Sequence, residues 1–285
     1  MTLAFLLCSQ LAFSEGTGEE LQELIDSSCL NDGFVRLDQD YRINEPIYVK
    51  CSMDAQDNTV YVEDGSIRAL VVQGLSNVKL ILPHVINVSA DPGNGLWTDP
   101  GTGVYIVNVI NSHIEIANIR NFKYGLALVG NGQGTAYNNV HIRHLENNQR
   151  NLLLQPWNRG WVNQNNFYGG RYSHWSNEGE VLDGVSHIVL VDDYNSEDPH
   201  GPPNNNTWFG ASLEGNVAKY AVDISGDYNV FYNSRWESIN QVIFRNRAWG
   251  NVIHYGYGVY RLLQDNRVVF ETSSDATKNK VISSL

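Results

Sequence analysis

The chain has 285 residues, of which 42% are hydrophobic and 18% charged, a balance typical of an ordered, well-buried protein. Its formal net charge of −12 argues against nucleic acid and anionic membrane surfaces as main partners, since phosphate binding relies on Lys and Arg. An acidic polysaccharide stays open as a partner, because a few arginines in a groove can act locally.

The chain begins with an apolar run that extends from Leu3 to Phe13 and is followed by the small residue Ser14. This pattern predicts a short signal peptide over residues 1–14, and with it an extracellular, secreted or virion-associated protein. The alternative is a buried N-terminal strand that covers the first coil. After cleavage Cys29 and Cys51 would remain, and two cysteines in an exported protein can pair. No other stretch has the length of a membrane span, so none is expected.

Residues 15–68 are predicted to form an N-terminal capping helix and the first strands. Leu21, Leu24 and Ile25 fall on one face of a short helix, and Thr17 and Glu20 have capping-box spacing. The stretch "GFVRLDQDYRINEPIYVKCSM" then reads as strand, turn and strand.

Residues 69–285 repeat one pattern, in which an Asn leads a short β-prone run and a second apolar strand precedes it. The leading positions are assigned to Asn77, Ser112, Asn139, Asn166, Asn206, Asn229, Asn251 and Asn279. Short strands, Asn- and Gly-rich turns and regular steps predict a parallel β-helix, in which coils stack at about 4.8 Å. Asn at one corner fits a ladder of stacked amides, whereas the alternative, a β-sandwich, would not require it.

The N-terminal strands resemble those of the pectate-lyase-like right-handed β-helix superfamily, especially phage tailspikes and related polysaccharide-degrading proteins. The resemblance covers about residues 17–285 and is carried by Gly33, Val35, Leu37, Tyr41, Ile43, Pro46 and Ile47. It implies an all-β protein, a single right-handed parallel β-helix of about eight coils with a short N-terminal capping helix. It implies less about chemistry, because the superfamily includes lyases, hydrolases, epimerases and inert adhesins. A trimer is common among relatives, so a monomer or a homotrimer is expected.

In-register stacking predicts a catalytic cluster from equal sequence offsets. His174, Glu214 and Glu237 follow the leading Asn by eight residues in three consecutive coils, which places Glu214 and Glu237 about 5 Å apart at the backbone. Two carboxylates that close can divide acid and base roles, as in retaining glycoside hydrolysis. In β-elimination, His174 or Arg171 would take the C5 proton, and Arg171 and Arg235 could hold a substrate carboxylate. The alternative is a solvated ladder in which Glu237 pairs with Arg235.

Aromatic residues predict a sugar-binding platform, since flat rings suit the apolar faces of sugars. The residues assigned to the outward side are Tyr168, Tyr172, Trp208, Phe231, Tyr255 and Tyr257, with Phe167, Phe209 and Tyr232 on the opposite side. Trp157 and Trp161 are predicted on a loop that forms a wall of the site. The alternative is that this parity is the core and that inside and outside are exchanged.

Three long insertions, residues 88–101, 155–166 and 192–206, are predicted to be the walls of the site. The last one contains an acidic cluster formed by Asp192, Asp193, Glu197 and Asp198. Such dense oxygen ligands could hold Ca²⁺, and a plain solvated loop is the alternative. No cofactor is otherwise required, and neither a transition-metal site nor a nucleotide site is expected.

The leading hypothesis is a carbohydrate-active β-helix that binds a polysaccharide lengthwise and cleaves it, as a tailspike-like glycoside hydrolase or polysaccharide lyase. The alternative is a non-catalytic glycan-binding adhesin or structural virion component on the same fold.

Overall fold

A computed structural model describes residues 15–91, 97, 101–175, 181–191, 201–215, 217–237, 241–254, 256–271 and 278–282. Most of the predicted walls at residues 88–101 and 192–206 lies outside the described residues. Three further predictions lie entirely outside them. They are the signal segment at residues 1–14, the outward position of Tyr255, and the Ca²⁺ cluster of Asp192, Asp193, Glu197 and Asp198.

The described chain is mostly strand, with two helices, α1 (Gly18–Asn31) and α2 (Val259–Gln264). The strands of the N-terminal half are β1 (Gly16–Thr17), β2 (Phe34–Arg36), β3 (Tyr41–Ile43), β4 (Ile47–Val49), β5 (Ser52–Asp54), β6 (Thr59–Val62), β7 (Arg68–Gln73), β8 (Lys79–Leu82), β9 (His84–Asn87), β10 (Thr102–Val107), β11 (His113–Arg120), β12 (Tyr124–Asn131), β13 (Gly134–Ala136) and β14 (Asn139–Glu146). Those of the C-terminal half are β15 (Arg150–Trp157), β16 (Trp161–Asn163), β17 (Asn166–His174), β18 (Leu182–Leu190), β19 (Thr207–Phe209), β20 (Ser212–Gly215), β21 (Ala218–Ile224), β22 (Val230–Tyr232), β23 (Arg235–Trp236), β24 (Gln241–Phe244), β25 (Val252–Ile253), β26 (Val268–Phe270) and β27 (Lys280–Val281).

These strands stack as a parallel β-helix, which confirms the predicted fold class. Sheet 1 has 16 strands along the order β1-β3-β6-β9-β11-β14-β17-β19-β22-β25-β27, with β2, β5, β8, β20 and β23 beside this path. Sheet 2 has nine strands, in the order β26-β24-β21-β18-β15-β12-β10-β7-β4, and β13 pairs with β16 in sheet 3. The pairs are parallel and in register apart from shifts in the pairs β18–β21 and β21–β24, so residues that are one coil apart in sequence become neighbours along the axis.

The N-terminal end is closed by α1, as predicted. Thr17 accepts a hydrogen bond from the Glu20 backbone N–H, and the Glu20 carboxylate accepts one from the Thr17 backbone, completing the capping box. Leu21 and Ile25 are buried against the first coil. A disulfide joins Cys29 at the end of α1 to Cys51, with a Cα–Cα distance of 5.5 Å, so the helix is covalently held to the coil. Within the described residues no helix combines the length and apolar character that crossing a membrane requires.

A buried amide ladder runs along one corner of the coils. Its members are Asn138, Asn165, Asn206, Asn229, Asn251 and Asn279. At each step the side-chain oxygen accepts from the preceding rung, as where Asn229 Oδ1 accepts both the backbone N–H and the side-chain amide of Asn206 at 3.0 Å. The ladder therefore satisfies backbone and side-chain polar groups that the corner would otherwise bury unpaired.

The ladder corrects three assignments made from the sequence. In the pairs Asn138–Asn139 and Asn165–Asn166 the first amide is the rung, so choosing Asn139 and Asn166 was wrong by one residue. Asn77 was also wrong by one residue, because its backbone is left-handed, with φ of 56°, and it directly precedes the rung position. The same corner conformation is held by Gln164 and Asn205, which precede true rungs.

The interior of the C-terminal coils is a column of stacked rings. Phe167, Trp208 and Phe231 are all fully buried, with ring centroids 4.8 Å and 4.4 Å apart and planes within 9°. Aliphatic side chains such as Val140 and Ile114 continue this column toward the N-terminal coils. The core therefore follows the axis of the solenoid without interruption.

Candidate functional site

The outer surface of sheet 1 carries two parallel rows of polar residues, here called the charged face. One row contains His144, Arg171, Ser212 and Arg235, and the other contains Glu146, Ser173, Glu214 and Glu237. Glu214 lies beside Ser173, and the backbone N–H of Glu237 donates to the carbonyl of Leu213 at 2.9 Å. The prediction that Glu214 and Glu237 occupy adjacent coils is therefore confirmed.

Glu214 is held by two donors. Arg171 Nε donates to one carboxylate oxygen at 2.8 Å, and Ser212 Oγ donates to the other at 2.6 Å. Burial, with only 13% of the side chain exposed, acts to raise the pKa of Glu214, but the hydrogen bonds from Ser212 and Arg171 outweigh it and hold this pKa below its usual value. Glu214 is therefore a carboxylate at neutral pH, suited to accept hydrogen bonds and not to donate a proton.

Glu237 has its own cation. Arg235 donates to its carboxylate at 2.5 Å, and this hydrogen bond raises the pKa of Arg235. The guanidinium carbon also lies 5.5 Å from the ring centroid of Tyr257, whose side chain is 63% exposed. The pairing of Glu237 with Arg235 agrees with the solvated-ladder alternative for these residues.

His174 does not belong to the charged face. It pairs with Gly215 and not with Glu214, and its side chain is fully buried. Burial lowers the pKa of His174 to about 4, and its ring lies edge-on to Trp97 with centroids 5.4 Å apart. The prediction of His174 as a base that takes a proton from a bound sugar is wrong, because a buried ring does not reach a ligand on the surface.

A second outward feature, here called the ring ladder, consists of His141, Tyr168, Phe209, Tyr232 and His254. Consecutive centroids are 4.7, 5.3, 5.6 and 4.5 Å apart, with planes inclined by 11° to 16°. Each inner ring is stacked between two neighbours, so its faces are covered and its edge points to solvent. The ladder therefore offers phenol hydroxyls and imidazole nitrogens to a ligand rather than open ring faces.

The ring ladder corrects the predicted platform. Trp208, Phe231 and Tyr172 are buried in the core, so their assignment as substrate-binding residues is wrong. Phe209 and Tyr232, assigned inward, are the exposed ones. Trp208 and Phe231 lie two residues after the true rungs Asn206 and Asn229, and the buried Phe167 lies two residues after the rung Asn165, so this position faces inward. Counting from Asn166 placed the outward Tyr168 at the same position, and the whole set was therefore assigned outward. Tyr168 is outward as predicted.

Sequence reasoning missed a Ser–His–Glu group on the charged face. His144 Nε2 lies 2.8 Å from Ser173 Oγ, and its Nδ1 lies 3.9 Å from the Glu146 carboxylate. These residues stack in the same register as Arg171 and Glu214, so an offset comparison extended to earlier coils would have found them. Ser173 is fully buried, however, so this arrangement is a satisfied structural contact and not an accessible nucleophile.

The two predicted loop tryptophans are on strands of other sheets. Trp157 ends β15 in sheet 2 and Trp161 begins β16 in sheet 3, so the predicted wall at residues 155–166 is largely regular structure. The Trp161 indole lies directly against Gly134. The structure therefore places neither tryptophan in the rows that contain Glu214 and Glu237.

Within the described residues, no group of three or more His, Cys, Asp or Glu side chains could hold a metal ion. Comparison with models of protein families, with curated proteins and with solved structures finds no match. The stacked parallel sheets confirm the parallel β-helix that the resemblance implies. Membership of the pectate-lyase-like superfamily stays a prediction.

Proposed function

We propose that the protein binds a polysaccharide lengthwise along the charged face and the ring ladder. The observation that carries this proposal is the register of sheet 1, which repeats outward polar groups on successive coils. Strands in such a sheet are about 4.8 Å apart, so a polymer parallel to the axis meets a similar set of donors and acceptors at each coil. An extracellular or virion-associated role, as a monomer or a homotrimer, belongs to the same proposal.

Binding without cleavage fits the charges of this face best. Arg171 and Ser212 hold Glu214 as a carboxylate, and Arg235 holds Glu237. A glycosidase also needs a carboxylic acid whose pKa is raised so that it can protonate the leaving group. The lowered pKa of Glu214 is the opposite shift. The paired groups are suited to hydrogen-bond sugar hydroxyls, with guanidinium donors and carboxylate acceptors side by side.

Cleavage is the second candidate, and the adjacent-coil position of Glu214 and Glu237 favours it. Glu214 would act as the base or nucleophile, and Glu237 would act as the acid after release from Arg235. β-Elimination would instead use Arg171, since the other predicted base, His174, is buried.

Glu214→Gln and Glu237→Gln separate the two candidates. Each amide keeps the shape of the side chain but removes the charge that organises Arg171 or Arg235, so glycan affinity is expected to fall about tenfold. The wild-type protein, incubated with a panel of neutral and acidic polysaccharides, is expected to release neither reducing ends nor unsaturated sugars. Affinity is measured by titration calorimetry, and Glu63→Gln, at an exposed carboxylate elsewhere, is the matched control.

Product release by the wild type that stops in both Gln variants would establish cleavage and contradict binding alone. Unchanged affinity in both variants, with binding present in the wild type, would remove the charged face as the binding surface.

A further inference from the structure

The outer surface of sheet 2 contains a groove with a cavity volume of about 380 Å³. It is built by β7, β10, β12 and β15, so it lies on a different sheet from the charged face. This cavity is called the sheet-2 groove, and its lining includes Arg68, Tyr105, Tyr124, Ala127, Val129, Leu153, Gln155 and Trp157.

The floor of the sheet-2 groove is apolar although it faces outward. Ala127, Val129 and Leu153 alternate along their strands with the core residues Leu126 and Leu154, yet all three are buried. They form an apolar cluster separate from the main core. An apolar floor in a concave surface is the usual foundation of a site for a small organic ligand.

The walls of the groove are aromatic. Tyr105 and Tyr124 line it on strands β10 and β12, and Trp157 lines it at the end of β15. The Trp157 side chain is 53% exposed, and no ring in the described part of the chain stacks on it. Unlike the rings of the ring ladder, this indole has surface available for the apolar face of a sugar.

The groove is locally cationic in an acidic chain. The Arg68 guanidinium carbon lies 4.0 Å from the Tyr105 ring centroid, and Arg68 forms no ion pair with any described residue. Arg150 lies 5.6 Å from the Tyr124 centroid and is likewise without a described carboxylate partner. No Asp or Glu lines the cavity among the described residues, whereas the chain as a whole has a net charge of −12. An uncompensated guanidinium on an aromatic face is a recognition element for a carboxylate.

Polar groups are also free around the floor. The side-chain amide of Gln155 makes no hydrogen bond within the described residues, and the same holds for the hydroxyls of Tyr105 and Tyr124. One amide and two phenols supply both donors and acceptors to sugar hydroxyls.

From this combination we propose that the sheet-2 groove is a binding site for an acidic saccharide, independent of the charged face. Arg68 pairs with the sugar carboxylate, the apolar face of a ring packs on Trp157 and Leu153, and the hydroxyls bond to Gln155. The two sites differ in charge: the arginines Arg171 and Arg235 of the charged face are neutralised by Glu214 and Glu237, and Arg68 is not.

The test uses the full chain and pairs of ligands that differ only in charge. The probes are oligosaccharides that contain glucuronate, galacturonate or N-acetylneuraminate, each compared with its carboxyl methyl ester by titration calorimetry. At least one free acid is expected to bind about tenfold more tightly than its ester, because the hydrogen-bonded ion pair to Arg68 is lost on esterification.

Arg68→Gln is expected to abolish the difference between acid and ester, and Trp157→Ala to weaken both about tenfold. Arg143→Gln removes an exposed charge from sheet 1, and Tyr137→Ala removes an exposed ring outside the groove, so both are expected to bind as the wild type does. Thermal denaturation of each variant shows whether the fold is retained.

Absence of binding by every free acid would overturn the proposal, as would equal affinities for acid and ester in the wild type. An equal loss in Arg143→Gln and Arg68→Gln would also overturn it, since the attraction would then be unspecific. Arg171→Gln and Arg235→Gln change only the charged face, whereas Arg68→Gln changes only the sheet-2 groove. A loss of binding in one of these sets of variants and not in the other therefore shows which of the two sites binds the ligand.

Discussion

Replacing Trp208 with alanine is expected to reduce the free energy of unfolding by about 3–5 kcal/mol, the range for large aromatic side chains removed from cores. Trp208 is fully buried between Phe167 and Phe231, so truncation leaves a cavity in the middle of the ring column. Parallel coils around the gap are tied by backbone pairing on both sides, which limits their collapse into it. Urea unfolding followed by circular dichroism measures the effect.

Phe209→Ala is the matched control, because the neighbouring residue points outward with 39% of its side chain exposed. It loses ring contacts to Tyr168 and Tyr232, worth about 0.5–1.5 kcal/mol each. A larger loss of stability in Phe209→Ala than in Trp208→Ala would mean that the inward and outward sides of β19 are exchanged.

Acid is expected to destabilise the fold through two buried histidines. Burial lowers the pKa of His174 to about 4, and burial followed by the charge of His174 lowers that of His187 to about 3. The Asn151 amide lies 3.0 Å from His187 Nδ1, and neither ring nitrogen of His174 has a hydrogen-bond partner among the described residues. Among the described residues, neither ring therefore has a carboxylate in contact that would stabilise its charged form.

The direction of the effect follows from proton binding. The unfolded chain protonates these histidines near the ordinary pKa of about 6.5, whereas the folded chain resists until a lower pH, so stability falls as pH drops below 6.5. At pH 5 the loss is about 2 kcal/mol for each histidine, or about 4 kcal/mol for both, at ~1.4 kcal/mol per pH unit.

The measurement is the free energy of urea unfolding at pH 7.5 and pH 5, above the range in which most carboxylates titrate. His174→Leu should lose about half of the pH dependence, and His113→Gln, at a half-buried histidine on the outer surface of sheet 1, should keep nearly all of it. An unfolding free energy that is the same at both pH values in the wild type would show that neither buried ring resists protonation.

The fold was predictable because its determinants are periodic in the sequence. Asn206, Asn229 and Asn251 each lead a β-prone run, and these three are true rungs. Their equal offsets also placed Glu214 beside Glu237 correctly. The repeat therefore predicted which residues are neighbours along the axis wherever a single asparagine marked the corner.

The site was less predictable because facing depends on single-residue register. The doubled asparagines at Asn165 and Asn166 offered two registers, and the hydrophobicity of aromatic residues does not choose between them, since rings occupy both the core and the ring ladder. Trp157 was predicted from its residue type, but Arg68, which lines the same groove, lies 89 residues earlier in the sequence and carries no motif. Only the stacking of β7 through β15 brings them to one groove.

The disulfide between Cys29 and Cys51 influences the end from which this solenoid unfolds. Each coil contacts only the adjacent coils, so unfolding starts at an end of the stack. The disulfide holds the N-terminal end closed, where α1 covers the first strands. If a reductant broke the disulfide, α1 could separate from the first coil and expose the edges of its strands. Another molecule could then pair a strand of its own with these edges.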